Sequence, residues 1–145
     1  MNLSLTKTFI SGKKPAILLT AFLLILSSCK KQDDETKPLK TKIVGKWEVS
    51  KVETSIGSSA PTTVAGSAND YVDFKGGDDD IVEISVSSSL QSGTYSILVS
   101  NEFYITIGGK LYQCSPTLVD DNSFEFTATE EGSNPLIIKK YFLER

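Results

Sequence analysis

Residues 95–109 read YSILVSNEFYITIGG, and this stretch decides the fold class of the chain. Apolar side chains occupy every second position in two runs, Tyr95, Ile97 and Val99 and then Phe103, Ile105 and Ile107. Such alternation puts each set on one face of a half-buried β-strand. Gly108-Gly109 follows as a two-residue hairpin signal, because primed turns need positive φ at their central positions. The stretch therefore predicts consecutive antiparallel strands.

The same alternation recurs from residue 43 to the C-terminus, with turn clusters rich in Gly, Asp and Asn between the runs. It predicts eight strands, near residues 43–54, 70–75, 81–87, 93–100, 103–107, 110–115, 123–129 and 136–144, and no convincing helix. Short strands joined by tight turns leave vulnerable edges unless the sheet closes. We therefore expect an all-β domain, a small antiparallel up-and-down barrel of about eight strands, with a two-sheet sandwich as the alternative.

The interior and one loop of this barrel are also predicted by the pattern. Residues 55–69, rich in Ser, Gly, Ala and Thr, are expected to form a mobile flap over one end. The inward-facing candidates are Trp47, Val49, Phe74, Ile84, Tyr95, Ile97, Phe103, Ile105, Phe124, Phe126 and Ile138, with Tyr112 as a further candidate. Their bulk favours a filled interior over a deep cavity.

The N-terminal segment has the order of a secretory signal peptide. Three lysines up to Lys14 precede the apolar run 16–26, and the small residues Ser27 and Ser28 follow. A membrane-spanning helix is the alternative, but the run is shorter than the roughly 20 apolar residues that a span needs. Leu26-Ser27-Ser28-Cys29 resembles the lipobox of bacterial lipoproteins. The resemblance implies a signal peptide over residues 1–28 and a covalent lipid on Cys29, which anchors the chain to a membrane.

Charge and cysteine content narrow the function classes. The signal peptide contains three of the 15 basic residues and none of the 18 acidic ones, so the chain after it has a formal charge of −6. An acidic chain is a poor partner for nucleic acid, which needs clustered Lys and Arg. With Cys29 lipidated, Cys114 has no internal partner, and we interpret it as a buried structural thiol.

Residues 29–42 are interpreted as the lipidated cysteine and a flexible charged tether. The segment has few apolar side chains and is interrupted by Pro38, so it cannot bury enough surface to fold. Residues 30–35 (KKQDDE) resemble the acidic signal that sends some Gram-negative lipoproteins to the cell surface. A plain soluble linker explains the same charges. We expect an outer-membrane location, with surface exposure left open.

The folded part, residues 43–145, resembles the lipocalin-like domains of bacterial envelope lipoproteins. The residues that carry the resemblance are Gly45-Lys46-Trp47, Asp70-Tyr71-Val72-Asp73-Phe74, Gly93-Thr94-Tyr95 and Arg145. The barrel is shorter than a full lipocalin. Beside the resemblance, Trp47 is predicted to plug the closed end, with Arg145 over its indole ring as a cation–π partner. The candidate ligand-facing residues are Phe74, Tyr95, Phe103, Tyr112, Phe124 and Phe126.

Several catalytic chemistries are missing from the sequence. The chain has no His, which removes the commonest general base and metal ligand. The acidic clusters 78–80, 120–121 and 130–131 fall in predicted turns, where solvated charge is the default. We therefore expect no enzyme activity, no metal site and no cofactor apart from the covalent lipid on Cys29.

Two functions follow from these expectations. The first is a membrane-anchored, non-enzymatic lipoprotein that binds a small apolar or amphipathic ligand through the open end of the barrel. The alternative is a protein-interaction module, such as a hydrolase inhibitor or a subunit of an envelope or surface assembly. The oligomeric state and the identity of the ligand stay open.

Overall fold

The computed structural model describes residues 38–145. The predicted signal peptide, Cys29 and the tether up to residue 37 lie outside the described residues. The described elements are one short helix, α1 (Leu39–Ile43), and nine strands: β1 (Gly45–Ile56), β2 (Thr62–Ala65), β3 (Tyr71–Phe74), β4 (Ile81–Val86), β5 (Ser89–Ile97), β6 (Phe103–Ile107), β7 (Lys110–Val119), β8 (Ser123–Glu130) and β9 (Ile137–Glu144). Among residues 38–145, no helix has the length and apolar character needed to cross a membrane.

The strands form one closed antiparallel barrel. From β3 to β9 each strand pairs with the next along the chain, and β9 pairs with β1 to close the sheet. β2 and β3 lie on the same edge of β1, β2 against its C-terminal half and β3 against its N-terminal half. They act as one interrupted strand, so the barrel has eight strands. The predicted fold class is confirmed, and a two-sheet sandwich is excluded by the closure.

A β-bulge in β1 decides which side chains enter the barrel. Trp47 and Val49 face inward, and strict alternation would send Lys51 inward next. The pairing of β1 with β9 shifts register between Val49 and Lys51. One extra residue in the strand reverses the alternation, so Val52 is buried and Lys51 faces outward. There its Nζ lies 3.9 Å from the centre of the Phe142 ring.

The break between β2 and β3 lies opposite this bulge. Gly66 donates its backbone N–H to Ser50, and Val49 donates to the carbonyl of Asp70, at 2.8 and 3.0 Å. A Cβ atom on Gly66 would lie 1.6 Å from the carbonyl oxygen of Val49. Only glycine allows the two backbones to approach this closely. The second strand therefore leaves the sheet at Gly66 and rejoins it at Tyr71.

Several predictions about the element boundaries were wrong. Residues 62–65 of the expected flap form β2, and β7 continues to Val119 because a bulge between Pro116 and Leu118 accommodates the proline. β5 runs over Ser89–Ile97 instead of 93–100, and Val99 is fully exposed. The other predicted strands, and the two-residue turn at Gly108-Gly109, lie within two residues of those observed.

Two further predictions were wrong at the two ends of the domain. The tether was expected to extend to Lys42, but Leu39 and Ile43 of α1 are buried against the barrel. A five-residue helix carries only one i, i+4 apolar pair, which is too little for a helical stripe to be visible. Ile138 was expected inside, but Tyr141 and Leu143 are the buried residues of β9, so Ile138 lies on the outer face.

We predict that Gly66→Ala destabilises the barrel strongly. The added methyl group cannot fit beside the Val49 carbonyl without moving backbone, so we expect a loss of about 3 kcal/mol in the free energy of unfolding. Gly76→Ala is the matched control, because its Cβ would meet only the side chain of Val44 at 3.4 Å. Urea titration of both variants checks this. Equal stability of the two would contradict the close approach.

Candidate functional site

The barrel has one closed end and one open end, and Trp47 lies at the closed end. The indole N–H of Trp47 donates to the carbonyl of Ile43, the last residue of α1, at 2.7 Å. The guanidinium carbon of Arg145 lies 3.7 Å from the centre of the Trp47 rings, and this side chain also donates to the carbonyl of Val44. Gly45 has a φ of +114°, and a Cβ there would lie 3.1 Å from the guanidinium. The structure thus places Arg145 over the indole that plugs this end.

Helix α1 completes the closed end. Leu39 and Ile43 are buried one turn apart on its inner side. Lys40 forms an ion pair of 2.6 Å with Asp80 in the turn between β3 and β4, and this hydrogen bond raises the pKa of Lys40. The chain therefore enters the barrel at the plugged end.

The interior of the closed half is filled by aromatic rings. Five of these aromatic residues have no exposed surface: Trp47, Phe74, Phe103, Phe124 and Phe126. Neighbouring rings in this cluster have centres 5.1 to 6.4 Å apart, in tilted or edge-to-face arrangements that suit aromatic pairs. Tyr95 packs on Phe74 and donates its hydroxyl to the carbonyl of Lys75 at 3.1 Å. Five of the six candidate ligand-facing residues thus lie in packed core.

Cys114 belongs to the same packed interior. It has no exposed surface, and burial raises the pKa of its thiol well above the usual range. A buried, protonated thiol is a weak nucleophile. The position agrees with the structural role expected from the sequence.

The opposite end is an open mouth with a cavity of about 240 Å³. Its walls come from five strands and comprise Val52, Thr54, Val64, Ile84, Val86, Ser89, Gln91, Lys139 and Tyr141. A second space of about 30 Å³ continues toward Tyr112 and shares Ile84, Gln91, Lys139 and Tyr141 with the first. Tyr112 is the one candidate ligand-facing residue that lines either cavity.

The mouth cavity exists because strands contribute small or short side chains there. β2 pairs with β1, and β4 pairs with β3, so the sheet is interrupted between β2 and β4. Ala128 on β8 and Ser89 on β5 stand where the closed half carries phenylalanine and tyrosine. The aromatic rings therefore fill one half of the barrel and leave the other half open.

A charged pair lies beside Tyr112, which lines the smaller space. Lys110 forms an ion pair of 2.8 Å with Glu130, and the Tyr112 hydroxyl donates to the other oxygen of that carboxylate at 3.2 Å. The hydrogen bond from Lys110 lowers the pKa of Glu130 and outweighs burial, which acts in the opposite direction. Burial, and then the charge of Glu130, raise the pKa of Tyr112. Glu130 was expected to be a solvated turn residue, and this was wrong.

Lys139 is the second cation of the mouth. It lines both cavities, and its Nζ lies 5.8 Å from the centre of the Tyr112 ring. Alternation along the sequence placed Ile138 inside and so missed it. The spacing of Tyr141 and Leu143 two and four residues later is the signal that could have found it.

The rim of the mouth carries large apolar side chains that water can reach. These are Ile56, Val64, Leu90, Leu111 and Leu136, exposed by 37 to 63%. They come from the ends of β1 and β2, the starts of β5 and β7, and the residue before β9. A group of exposed apolar residues around one opening is typical of a contact surface.

The other acidic clusters support turns. Asp120 accepts hydrogen bonds from the backbone N–H groups of Asn122 and Ser123, at 2.9 and 2.6 Å. Asp80 pairs with Lys40. Within residues 38–145 no three Cys, Asp or Glu side chains converge in a way that could hold a metal ion.

Asp70 is a buried carboxylate that sequence reasoning did not single out for a role. It accepts hydrogen bonds from the backbone N–H groups of Ser67 and Ser87, both at 2.9 Å. These bonds tie the break after β2 to the turn between β4 and β5, and they lower the pKa of Asp70. Asp70 thus holds together two sides of the mouth.

The mouth can hold a guest by burial, by hydrogen bonds from Gln91 and by the charge of Lys139. No family model, curated protein or solved structure matches this chain. The functional proposal therefore depends on the geometry of the barrel itself.

We predict that Asp70→Asn removes part of the acid sensitivity of the barrel. Because the folded pKa of Asp70 is below its ordinary value of 3.8, the charged group stabilises the fold above that pH. This stabilisation is lost as the pH falls below the ordinary value and through the folded pKa. The variant should melt lower than wild type at pH 7, and the difference should shrink as the pH falls below 3.8. Thermal melts across this range, with exposed Asp121→Asn as control, check the prediction; parallel curves for Asp70→Asn and wild type would contradict it.

Proposed function

We propose that this protein is a lipid-anchored, non-enzymatic binding protein of the bacterial outer membrane, which holds a small apolar or amphipathic ligand in the mouth of its barrel. The observation that carries the proposal is the 240 Å³ cavity at the end opposite the Trp47 plug. Its walls combine apolar side chains with a few polar groups, which is the usual composition of ligand sites. The lipocalin-like barrel supports the same function, although fold alone is an analogy.

The dimensions of the mouth restrict the ligand. Sites for drug-sized molecules typically have about 300 to 1,000 Å³. A cavity of about 240 Å³ suits a smaller molecule, or one end of a longer molecule. The exposed apolar residues of the rim, among them Ile56 and Val64, would cover the part that protrudes. Ligand binding would therefore bury the rim as well as the cavity.

The segment between the proposed anchor and the barrel is short. Eight residues lie between Cys29 and Pro38, and an extended chain over these nine steps spans at most about 30 Å. The chain then enters the barrel through α1 at the plugged end. A lipid on Cys29 would therefore tether the barrel through the residues that precede α1. The acidic stretch 30–35 supports export to the cell surface in the same proposal.

A protein-interaction module is the second candidate. The exposed apolar rim favours it, because such residues are also typical of contacts with another protein. In this case the partner would insert an apolar side chain into the mouth. An interaction module needs no free small molecule, which separates the two candidates by experiment.

We predict that Cys29→Ala abolishes lipidation and membrane retention. Wild-type protein expressed in its bacterial host should incorporate labelled palmitate and sediment with the outer membrane. Cys29→Ala should lose the label and the membrane association, whereas Cys114→Ala should keep both because Cys114 is buried in the barrel. Labelling of Cys29→Ala would contradict the anchor. Resistance of the domain to protease on intact cells would contradict the surface exposure but not the lipid anchor.

We predict that Val64→Trp prevents ligand binding, because the indole occupies the mouth. Val64 lines the cavity and is 45% exposed, so an indole can occupy the space without disturbing the core. Protein isolated from its own membrane should carry a small molecule in native mass spectrometry, and Val64→Trp should lose it while melting like wild type. Thr63→Trp, whose side chain faces outward on the same strand, is the control and should retain the ligand. A wild-type protein without bound ligand would favour the interaction module.

A further inference from the structure

We infer that the mouth selects a ligand with an acidic group on a short aliphatic tail, and that Lys139 binds the acidic group. The inference rests on the proposed ligand-binding function and names the class of ligand for that site.

The backbone of β9 forces Lys139 into the mouth. Tyr141 and Leu143 of this strand are buried, so the alternate position 139 faces the same interior. Lys139 stands opposite Ala128 of β8 and Thr54 of β1, two small side chains that leave its ammonium group free to cross the cavity. Lysine is among the residues least often placed inside a protein. Its position here is therefore informative.

Lys139 has no carboxylate partner among residues 38–145. Other lysines of the barrel are paired: Lys140 lies 3.1 Å from Glu125, and Lys75 lies 3.1 Å from Glu83. Lys139 has no carboxylate oxygen within the 4.0 Å of an ion pair in this part of the chain. The nearest acidic group of the mouth, Glu130, is already bound by Lys110 and by the Tyr112 hydroxyl.

The charges of the mouth sum to a surplus cation. Lys110 neutralises Glu130 directly, whereas Lys139 acts on this carboxylate only at longer range, and among residues 38–145 no carboxylate contacts the ammonium of Lys139. A ligand that covers the mouth would take water from this half-buried ammonium, which is costly unless the ligand supplies a partner. A ligand carboxylate would supply the partner, and hydrogen bonds between two charged groups are about twice as strong as neutral ones. A cationic ligand would be repelled by the same group.

The rest of the cavity suits an aliphatic tail. Val52, Ile84 and Val86 form apolar walls, and the Tyr141 ring lines both spaces. Gln91 stands in the shared wall with Lys139, where its amide can donate a second hydrogen bond to the acidic group. A volume of about 240 Å³ equals that of about eight water molecules in the liquid, each taking about 30 Å³. The whole ligand is therefore small, about the size of octanoate, and its tail is short.

Calorimetric titration with octanoate, octanol and octyltrimethylammonium tests the inference. The protein is the chain from residue 29 onward with Cys29→Ser, so that no attached lipid competes for the mouth. Octanoate should bind best, octanol more weakly, and the cation not at all. Lys139→Met, which keeps an unbranched side chain, should weaken octanoate binding about tenfold or more and leave octanol binding unchanged.

Two further variants separate the charge of Lys139 from its shape and from charge elsewhere on the protein. Lys139→Arg should retain the preference for octanoate. Lys140→Met removes a charge from the neighbouring outward position and should behave like wild type. Equal affinity of wild type for octanoate and octanol, or unchanged octanoate binding by Lys139→Met, would overturn the inference and leave the cavity function intact. Failure of wild type to bind any of the three probes would overturn both.

Discussion

Pairing between the first and last strands is the interaction on which the rest of the structure depends. β1 contacts β9 along one edge and the interrupted second strand along the other, so β1 and β9 each have partners on both edges only when this pair forms. Closure removes the free edges that an open sheet would expose. It also imposes the bulge after Val49, because β1 must curve around the barrel. The bulge in turn sends Val52 inward and Lys51 outward, and it requires Gly66 in the strand opposite.

One half of the barrel is a packed core, and the proposed binding site lies in the other half. In the plugged half, Trp47 is hydrogen-bonded to α1 and covered by Arg145, and phenylalanine rings fill the space behind it. Such packing leaves no room for a guest. In the other half the strands carry smaller side chains and the sheet is interrupted, which leaves the mouth. The proposed function uses only this second half, where the apolar walls, Lys139 and the exposed rim lie together.

This arrangement suits a tethered binding protein. The chain enters at the plugged end, so the fold does not need the mouth for attachment. The two buried carboxylates have partners within the barrel. Asp70 ties two sides of the mouth together through backbone N–H groups, and Glu130 is held by Lys110 and Tyr112. Because both carboxylates are held by hydrogen bonds within the barrel, neither forms an ion pair with Lys139, which the proposed ligand would contact. Location on a membrane and selection by the mouth would together define the work of this protein.

The sequence by itself determined the all-β class, most strand positions and the roles of Trp47 and Gly108-Gly109, because alternation and turn chemistry are local properties. It also predicts a lipobox at Cys29, because that motif is recognised from a few consecutive residues and needs no fold. Tertiary structure alone decided the face of β9, the packing of α1 and the start of the interrupted second strand. The sequence pattern places Ile138 inward and therefore Lys139 outward. The pairing of β9 with β1 and β8 decides the opposite orientation, with Lys139 inward. The local pattern shows that a strand alternates, whereas only its neighbours decide which alternate face is enclosed.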